Sequence, residues 1–190
     1  MDALAALRAG LPVLLPTDTV YGLVAAADEE AAANLYELKG RSREQPTALL
    51  AATVAQLVAA VPELDRTTLD KVLPGPYTLV LPNPKGRFPW LTGGRSGPIG
   101  VRVPRLPAET NELVTQLGVV LATSANDPGG PNPKLLDDVP PRIRAGCGAE
   151  LDLGPLPGTP STVVDLTGAE PRVLREGAVP ATEALARLGS

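Results

Sequence analysis

The chain has 190 residues, 44% hydrophobic and 3% aromatic, with 17 lysines and arginines against 21 aspartates and glutamates for a net charge of −4; this balance argues against a surface that tracks nucleic acid along its whole length. It has no histidine and a single cysteine, Cys147, which removes Ser-His-Asp and Cys-His catalysis, imidazole zinc sites and any internal disulfide. The 22 prolines and 19 glycines punctuate apolar runs too short to span a membrane, as expected of a cytoplasmic globular chain long enough for one cored domain.

In chain order, residues 2–9 predict a short helix stopped by Gly10, and Pro12–Leu15 a strand ended by Pro16. The run Thr17-Asp18-Thr19-Val20-Tyr21-Gly22 then sets two hydroxyls and a carboxylate at a corner before a strand over Leu23–Ala27. Gly22 there allows a turn or a close approach to a ligand. Seen alone, the cluster also reads as an ordinary Asx or Ser/Thr turn. Asp28 caps a helix through Lys39 that Gly40 stops, which brings Lys39 out at a helix end.

Thr47–Ala52 reads as a buried strand, Thr53 caps a helix through Val61, and Leu64–Leu73 predicts a further helix broken by Pro74-Gly75-Pro76. Tyr77–Leu81 is extended. After the loop Pro82–Pro98, Ile99, Val101 and Val103 alternate with Gly100 and Arg102, so Arg102 points away from the apolar face. A helix over Glu109–Leu117 closes at Gly118, and the strand Val119–Ala122 feeds a second polar corner, Thr123-Ser124-Ala125-Asn126-Asp127-Pro128-Gly129-Gly130. Residues 134–145 are helical in part, Thr162–Leu166 and Arg172–Leu174 are strands, and Ala181–Leu188 is a closing helix. The fold class is α/β of mixed α+β type: a twisted mixed parallel/antiparallel sheet flanked by helices.

The cations are clustered. Lys39, Arg41 and Arg43 fall within five positions, and Arg102, Arg105 and Arg175 stand beside strand ends or loops, a pattern that fits an anionic ligand or, for the first group, a solvated face. Arg102 between buried neighbours needs a carboxylate, a phosphate or water, and an internal salt bridge is the alternative to a ligand. Thr123, Ser124 and Asn126 lie just beyond a strand end, where open α/β sheets bind ligands, and Ser161 and Thr162 resemble that arrangement elsewhere. Asp137 and Asp138 read as a solvated helix and Cys147 as structural. Neither G-x-x-x-x-G-K-[ST] nor G-x-G-x-x-G occurs.

Six ordered blocks carry a family resemblance: Pro16-Thr17-Asp18-Thr19-Val20-Tyr21-Gly22-Leu23, Leu38-Lys39-Gly40-Arg41, Pro74-Gly75-Pro76-Tyr77-Thr78, Val101-Arg102-Val103-Pro104, Thr123-Ser124-Ala125-Asn126, and Ser161-Thr162-Val163-Val164-Asp165 with Leu174-Arg175-Glu176-Gly177. Together they resemble the YrdC/Sua5 family, the threonylcarbamoyl-AMP synthases, in its short form. The resemblance implies one YrdC-like domain over residues 1–190 with a concave ligand cavity. It implies a nucleotidyltransferase that makes threonylcarbamoyl-AMP and pyrophosphate from L-threonine, bicarbonate and ATP with Mg²⁺. The product would pass to a separate transferase complex for tRNA threonylcarbamoyladenosine modification, with direct tRNA or RNA binding weak or absent.

By similarity, Thr17, Arg102 and Ser161 hold threonine, while Lys39, Arg41, Ser124, Asn126 and Arg175 hold ATP; Lys39, Arg41 and Arg102 are the catalytic cations. Thr19, Tyr21 and Thr123 complete the set with Asp18, whose place in the corner makes it a candidate proton acceptor. No protein-held metal is expected. The chain departs from the family at Gln45-Pro46-Thr47 and at Ala51 and Ala52, where relatives often carry other polar residues. Two rival readings are an RNA-binding or ribosome-maturation protein of the same fold without turnover, and a carbamoyl-transfer module.

Overall fold

The computed structural model describes residues 1–42, 45–92 and 97–189. Among these residues nine strands form one sheet: β1 (Val13–Pro16), β2 (Tyr21–Ala26), β3 (Ala48–Ala51), β4 (Tyr77–Leu81), β5 (Ile99–Arg102), β6 (Val119–Ser124), β7 (Ala149–Glu150), β8 (Thr162–Asp165) and β9 (Arg172–Arg175). Their order across the sheet is β7-β1-β2-β6-β3-β5-β4-β8-β9. The pairs β1/β7, β3/β5 and β4/β8 are parallel and the others antiparallel. The mixed sheet read from the sequence is what forms.

Among the described residues seven α-helices cover it: α1 (Ala3–Arg8), α2 (Glu29–Lys39), α3 (Val54–Ala60), α4 (Arg66–Asp70), α5 (Ala108–Leu117), α6 (Pro141–Ala145) and α7 (Ala181–Leu188). One face of the sheet is sealed along its length, because Leu49, Leu79, Val101, Leu121 and Val164 pack under apolar side chains of α2, α3, α4, α6 and α7. On the other face α1 and α5 seal only the part around Leu15, Val24, Leu50 and Val120. Over β5, β4 and β8 no helix among the described residues covers that second face.

Strand alternation decides what lines the opening. In β4 the side chains of Tyr77, Leu79 and Leu81 are buried while Thr78 and Val80 are half-buried, and β5 and β8 repeat the pattern. Each leucine on the sealed face contributes about 2 kcal/mol by leaving water, so register is strongly specified. A slip of one residue would turn Arg102 into that core.

Several boundaries differ from the sequence reading. The helix expected over 64–73 forms only as α4, capped by the Asp65 carboxylate, and unwinds ahead of Pro74. Residues 134–145 split into a 3-10 turn at Leu136–Asp138 and α6, because Pro140 lacks the N–H a continuous helix needs. β2 starts at Tyr21, so Gly22 lies within a strand, paired with Leu15 and Ser124. It is not a turn residue; a Cβ there would meet the Thr17 methyl at 3.3 Å, so its smallness serves close packing. β5 ends at Arg102, since the Val103 carbonyl accepts from the Gly75 amide. β6 runs on to Ser124, and the two-residue β7 gave no pattern to read. Among the described residues no helix is long and apolar enough to cross a membrane.

Candidate active site

The uncovered sheet face is the floor of a cavity of about 350 Å³. Ala48, Gly100 and Ala122 keep that floor low, Thr78, Val80 and Val163 flank it, and Arg41, Arg102 and Arg175 reach in from three different segments. A second, more open hollow of about 570 Å³ adjoins it under the loop 126–130. The two share Arg41, Pro46, Thr123, Ser124 and Arg175 as walls. A ligand with an anionic head and a longer anionic tail could occupy both.

Arg102 lines the first cavity and not the second hollow. Its Nη2 donates to Asp18 Oδ1 at 3.0 Å and to Thr19 Oγ1 at 3.4 Å. The side chains of Arg102 and Asp18 are only 11% and 10% exposed. Burial pulls the Arg102 guanidinium below its usual range, with Asp18 opposing that and Arg175 adding to it. Burial also raises the Asp18 carboxyl, against the pull of Arg102 and of the Arg105 backbone amide. Arg102 Nε and Asp18 Oδ2 have no hydrogen-bond partner among the described residues. Both sequence alternatives for Arg102 are therefore realised together: it is half of an internal ion pair, and it lines the cavity.

The first corner is a hydroxyl turn. Thr17 Oγ1 donates to Val20 O at 2.7 Å and accepts from the amides of Thr19 and Val20. Thr17 and Asp18 thus stand behind the cavity wall, and Thr19 and Val20 form it. Tyr21 points elsewhere: its hydroxyl donates to Asp152 Oδ1 at 2.7 Å and Gly154 O at 2.8 Å, in the sealed side of the sheet. It lines neither hollow, because a strand residue next to Gly22 must face opposite to it.

Lys39 leaves the end of α2, where Gly40 takes the left-handed conformation (φ 64°) that stops the helix. Its ammonium donates to Ser124 O at 2.5 Å, to Asn126 Oδ1 at 2.6 Å and to the Asn126 carbonyl. Ser124 Oγ donates to the same Oδ1 at 2.6 Å, and Asn126 Nδ2 to Gly130 O at 2.6 Å. Burial, helped by the neighbouring Arg41, lowers the Lys39 pKa to about 8. The lysine ties the second corner to α2 and leaves one cation beneath the hollow.

Arg41 donates to Thr123 Oγ1 at 3.1 Å and Pro46 O at 2.8 Å. Arg175 donates to Ser161 O at 2.8 Å and approaches Ser161 Oγ at 3.3 Å. Burial lowers both guanidiniums, and for Arg175 the nearby Arg41 adds to it. Of the residues read from the sequence, Thr19, Lys39, Arg41, Arg102, Thr123, Ser124, Asn126, Ser161 and Arg175 converge on the two hollows. Arg43 lies outside the described residues.

Thr78 was missed. Its Oγ1 lies 2.8 Å from Ser161 Oγ on the cavity flank, and the alternation through Tyr77–Leu81 was the available signal. Thr162, expected to resemble a ligand corner, is fully buried and works inward: its hydroxyl donates to Val179 O and accepts from the amides of Gly177 and Val179. Cys147 stays a thiol, pushed up to about 12 by burial and donating to Ile143 O.

Gly177 holds the Ser161 segment close. A Cβ on it would lie 2.2 Å from Pro160 O and 2.6 Å from the Ser161 carbonyl carbon, so Gly177→Ala is expected to push Ser161 and Arg175 out of place. Overpacking of this kind costs about 2 kcal/mol. Thermal denaturation should show a drop of several degrees, about what that cost implies for a domain of this size, together with weaker ligand binding. An unchanged melting curve would contradict the packing account.

A concave sheet face on which three guanidiniums and a lysine converge, with hydroxyls between them and Asp127 as the one carboxylate on either wall among the described residues, is the arrangement of an α/β protein with a site suited to anionic groups. Comparison with known proteins places the chain more closely: residues 5–177 match the model of the Sua5/YciO/YrdC family, described as "Telomere recombination", and the chain belongs to that family. A putative threonylcarbamoyl-AMP synthase of Mycobacterium tuberculosis is 36% identical over 193 residues, covering 99% of this chain and 88% of its own. The structure of Pyrococcus abyssi Sua5 complexed with L-threonine superposes with a TM-score of 0.85 at 34% identity, covering 98% of this chain and 56% of that one. Escherichia coli YciO, at 24% identity and a TM-score of 0.79, shares the fold.

Proposed function

We propose that this chain joins L-threonine, bicarbonate and ATP into threonylcarbamoyl-AMP, releasing pyrophosphate. The observation that carries the reading is the charge layout: Arg102 lines one cavity only, while Arg41 and Arg175 line both it and the adjoining hollow, which Lys39 completes. The names of the relatives and the threonine complex of Pyrococcus abyssi Sua5 support it.

In this reading the threonine carboxylate takes Arg102, with the Thr78 and Ser161 hydroxyls beside it. The amine then faces outward. It combines with bicarbonate to give the carbamate and water, and a carbamate oxygen attacks the α-phosphorus of ATP as the bond to pyrophosphate breaks. Charge building on the phosphates is met by Arg41 and Arg175, fixed in place before the reaction by Thr123, Pro46 and Ser161. Mg²⁺ enters with the nucleotide as substrate. The described residues hold no group of three or more cysteine or acidic side chains suited to a metal ion.

Asp18 stands behind Arg102, so we assign it to holding that guanidinium; the amine proton goes to water. Fixed cations without a protein base suffice for adenylation when positioning lowers the barrier. The product is then used by a separate transferase acting on tRNA. The net charge of −4 fits a chain that does not itself grip RNA, and duplex RNA is expected to bind weakly and to leave with added salt.

Pyrophosphate release measured with ATP is expected only when L-threonine and bicarbonate are both present. Release from ATP alone, or with threonine in bicarbonate-free buffer, would contradict the reading.

A further inference from the structure

Arg142, on α6, bridges the two walls of the outer hollow from outside. Its Nη1 donates to Leu38 O at 2.6 Å and its Nη2 to Lys39 O at 3.4 Å, at the C-terminal end of α2, and Nη2 also pairs with the Asp127 carboxylate. Asp127 belongs to the wall of the hollow and directly follows Asn126, which the Lys39 ammonium holds. Two rungs therefore join α2 to the 126–130 loop: Lys39 to Asn126 on the inside, Arg142 to Asp127 on the outside. The guanidinium also satisfies helix carbonyls that have no partner within α2 and meets the negative end of the helix dipole.

We propose that Arg142 is a positioning residue for nucleotide binding, fixing the spacing between Lys39 and the 126–130 wall against which Mg–ATP sits. This rests on the assignment of the outer hollow to ATP. An isolated ion pair with side chains 50% and 51% exposed would contribute little. What sets this one apart is that the same guanidinium grips three groups on two segments, adding an outer tie to the inner Lys39–Asn126 contact and to the Arg41–Thr123 hydrogen bond just past the helix end. Gly40 serves this arrangement through its left-handed backbone (φ 64°), which ends α2 where the guanidinium meets its carbonyls. Arg142 and Asp127 also set the charge around Lys39 from outside, together with Arg41 from the same turn.

The test is calorimetric binding of Mg–ATP and of L-threonine to the unaltered protein, Arg142→Met, Arg142→Lys and Arg142→Met/Asp127→Asn. Arg142→Met is expected to weaken Mg–ATP about tenfold, the loss of a pair of charge-assisted hydrogen bonds, and to leave threonine binding unchanged. Arg142→Lys should recover part of the loss, and adding Asp127→Asn should cost little more, since the pair is already broken.

The pH profile separates positioning from general damage. Mg–ATP affinity of the unaltered protein should fall as pH rises through about 8, where Lys39 gives up its proton. Loss of the Arg142 charge lets Lys39 keep its proton to higher pH, so that fall should move upward in Arg142→Met. Equal Mg–ATP affinity in Arg142→Met and the unaltered protein, or parallel weakening of ATP and threonine, would overturn this proposal alone. No Mg–ATP binding by the unaltered protein would overturn the assignment of the hollow beneath it.

Discussion

Arg102→Ala is expected to lower threonine-dependent pyrophosphate release by about 100-fold, chiefly through the KM for threonine, because a charge-assisted pair with a carboxylate is worth about 1.5 to 3 kcal/mol. The loss should exceed that of a single contact. Removing the guanidinium leaves the buried Asp18 carboxyl without its ion-pair partner and with burial pushing its pKa further up, so an unpaired acid stands behind the place the substrate carboxylate must enter. Breaking a buried pair from one side also costs about 3 kcal/mol in stability. Asp18→Asn added to Arg102→Ala should therefore recover both stability and some threonine affinity. Arg102→Lys keeps the charge without the planar fork and should fall between. Steady-state rates against threonine concentration read these effects, and an unchanged threonine KM in Arg102→Ala would contradict the assignment.

Lys39→Met is expected to act on the nucleotide side, lowering kcat/KM for ATP by about 30- to 100-fold, equivalent to about 2 to 3 kcal/mol. The ammonium makes three hydrogen bonds that hold Ser124 and Asn126 in the second corner. Methionine fills much of the same space but donates nothing, which leaves buried oxygens without a donor at a cost of about 1 to 3 kcal/mol. The corner should loosen while the inner cavity keeps its shape. Direct threonine binding should therefore survive in Lys39→Met, and its loss would mean that the two hollows are not the separate subsites described here.

What could be read in the sequence followed periodicity. Ile99-Gly100-Val101-Arg102 announced both a strand and the direction of its arginine, because side chains alternate whatever the surroundings. The same logic through Tyr77–Leu81 would have found Thr78. The placement of Lys39 at a helix end followed from Asp28 and Gly40, whose capping roles are local. What could not be read depended on distant partners. Asp18 and Arg102 are 84 residues apart in sequence, so nothing local told an internal pair from a ligand contact, and the structure makes Arg102 serve as both.

The polar neighbours of Gly22 leave a turn and a close approach to a ligand both open in the sequence, and the structure places it within β2. The turn is closed by the Thr17 hydroxyl instead, and the glycine is needed where β2 passes close to it. Tyr21 entered the candidate site through the family resemblance alone, and in β2 its hydroxyl is taken up by Asp152 and Gly154 away from the two hollows. The open half of the second sheet face was likewise not legible: helical patterns mark α1 and α5, but not that their shelter stops at β7, β1, β2, β6 and β3.

The orientation of threonine is the central claim: its carboxylate is held at Arg102, and the nitrogen end meets the α-phosphate. Incubating the protein with ATP, L-threonine and ¹³C-bicarbonate, followed by mass spectrometry of the adenylate formed, tests it directly. The account predicts one adenylate carrying both threonine and a single ¹³C. An unlabelled threonyl-adenylate, formed through the carboxylate that Arg102 is assigned to hold, would contradict it.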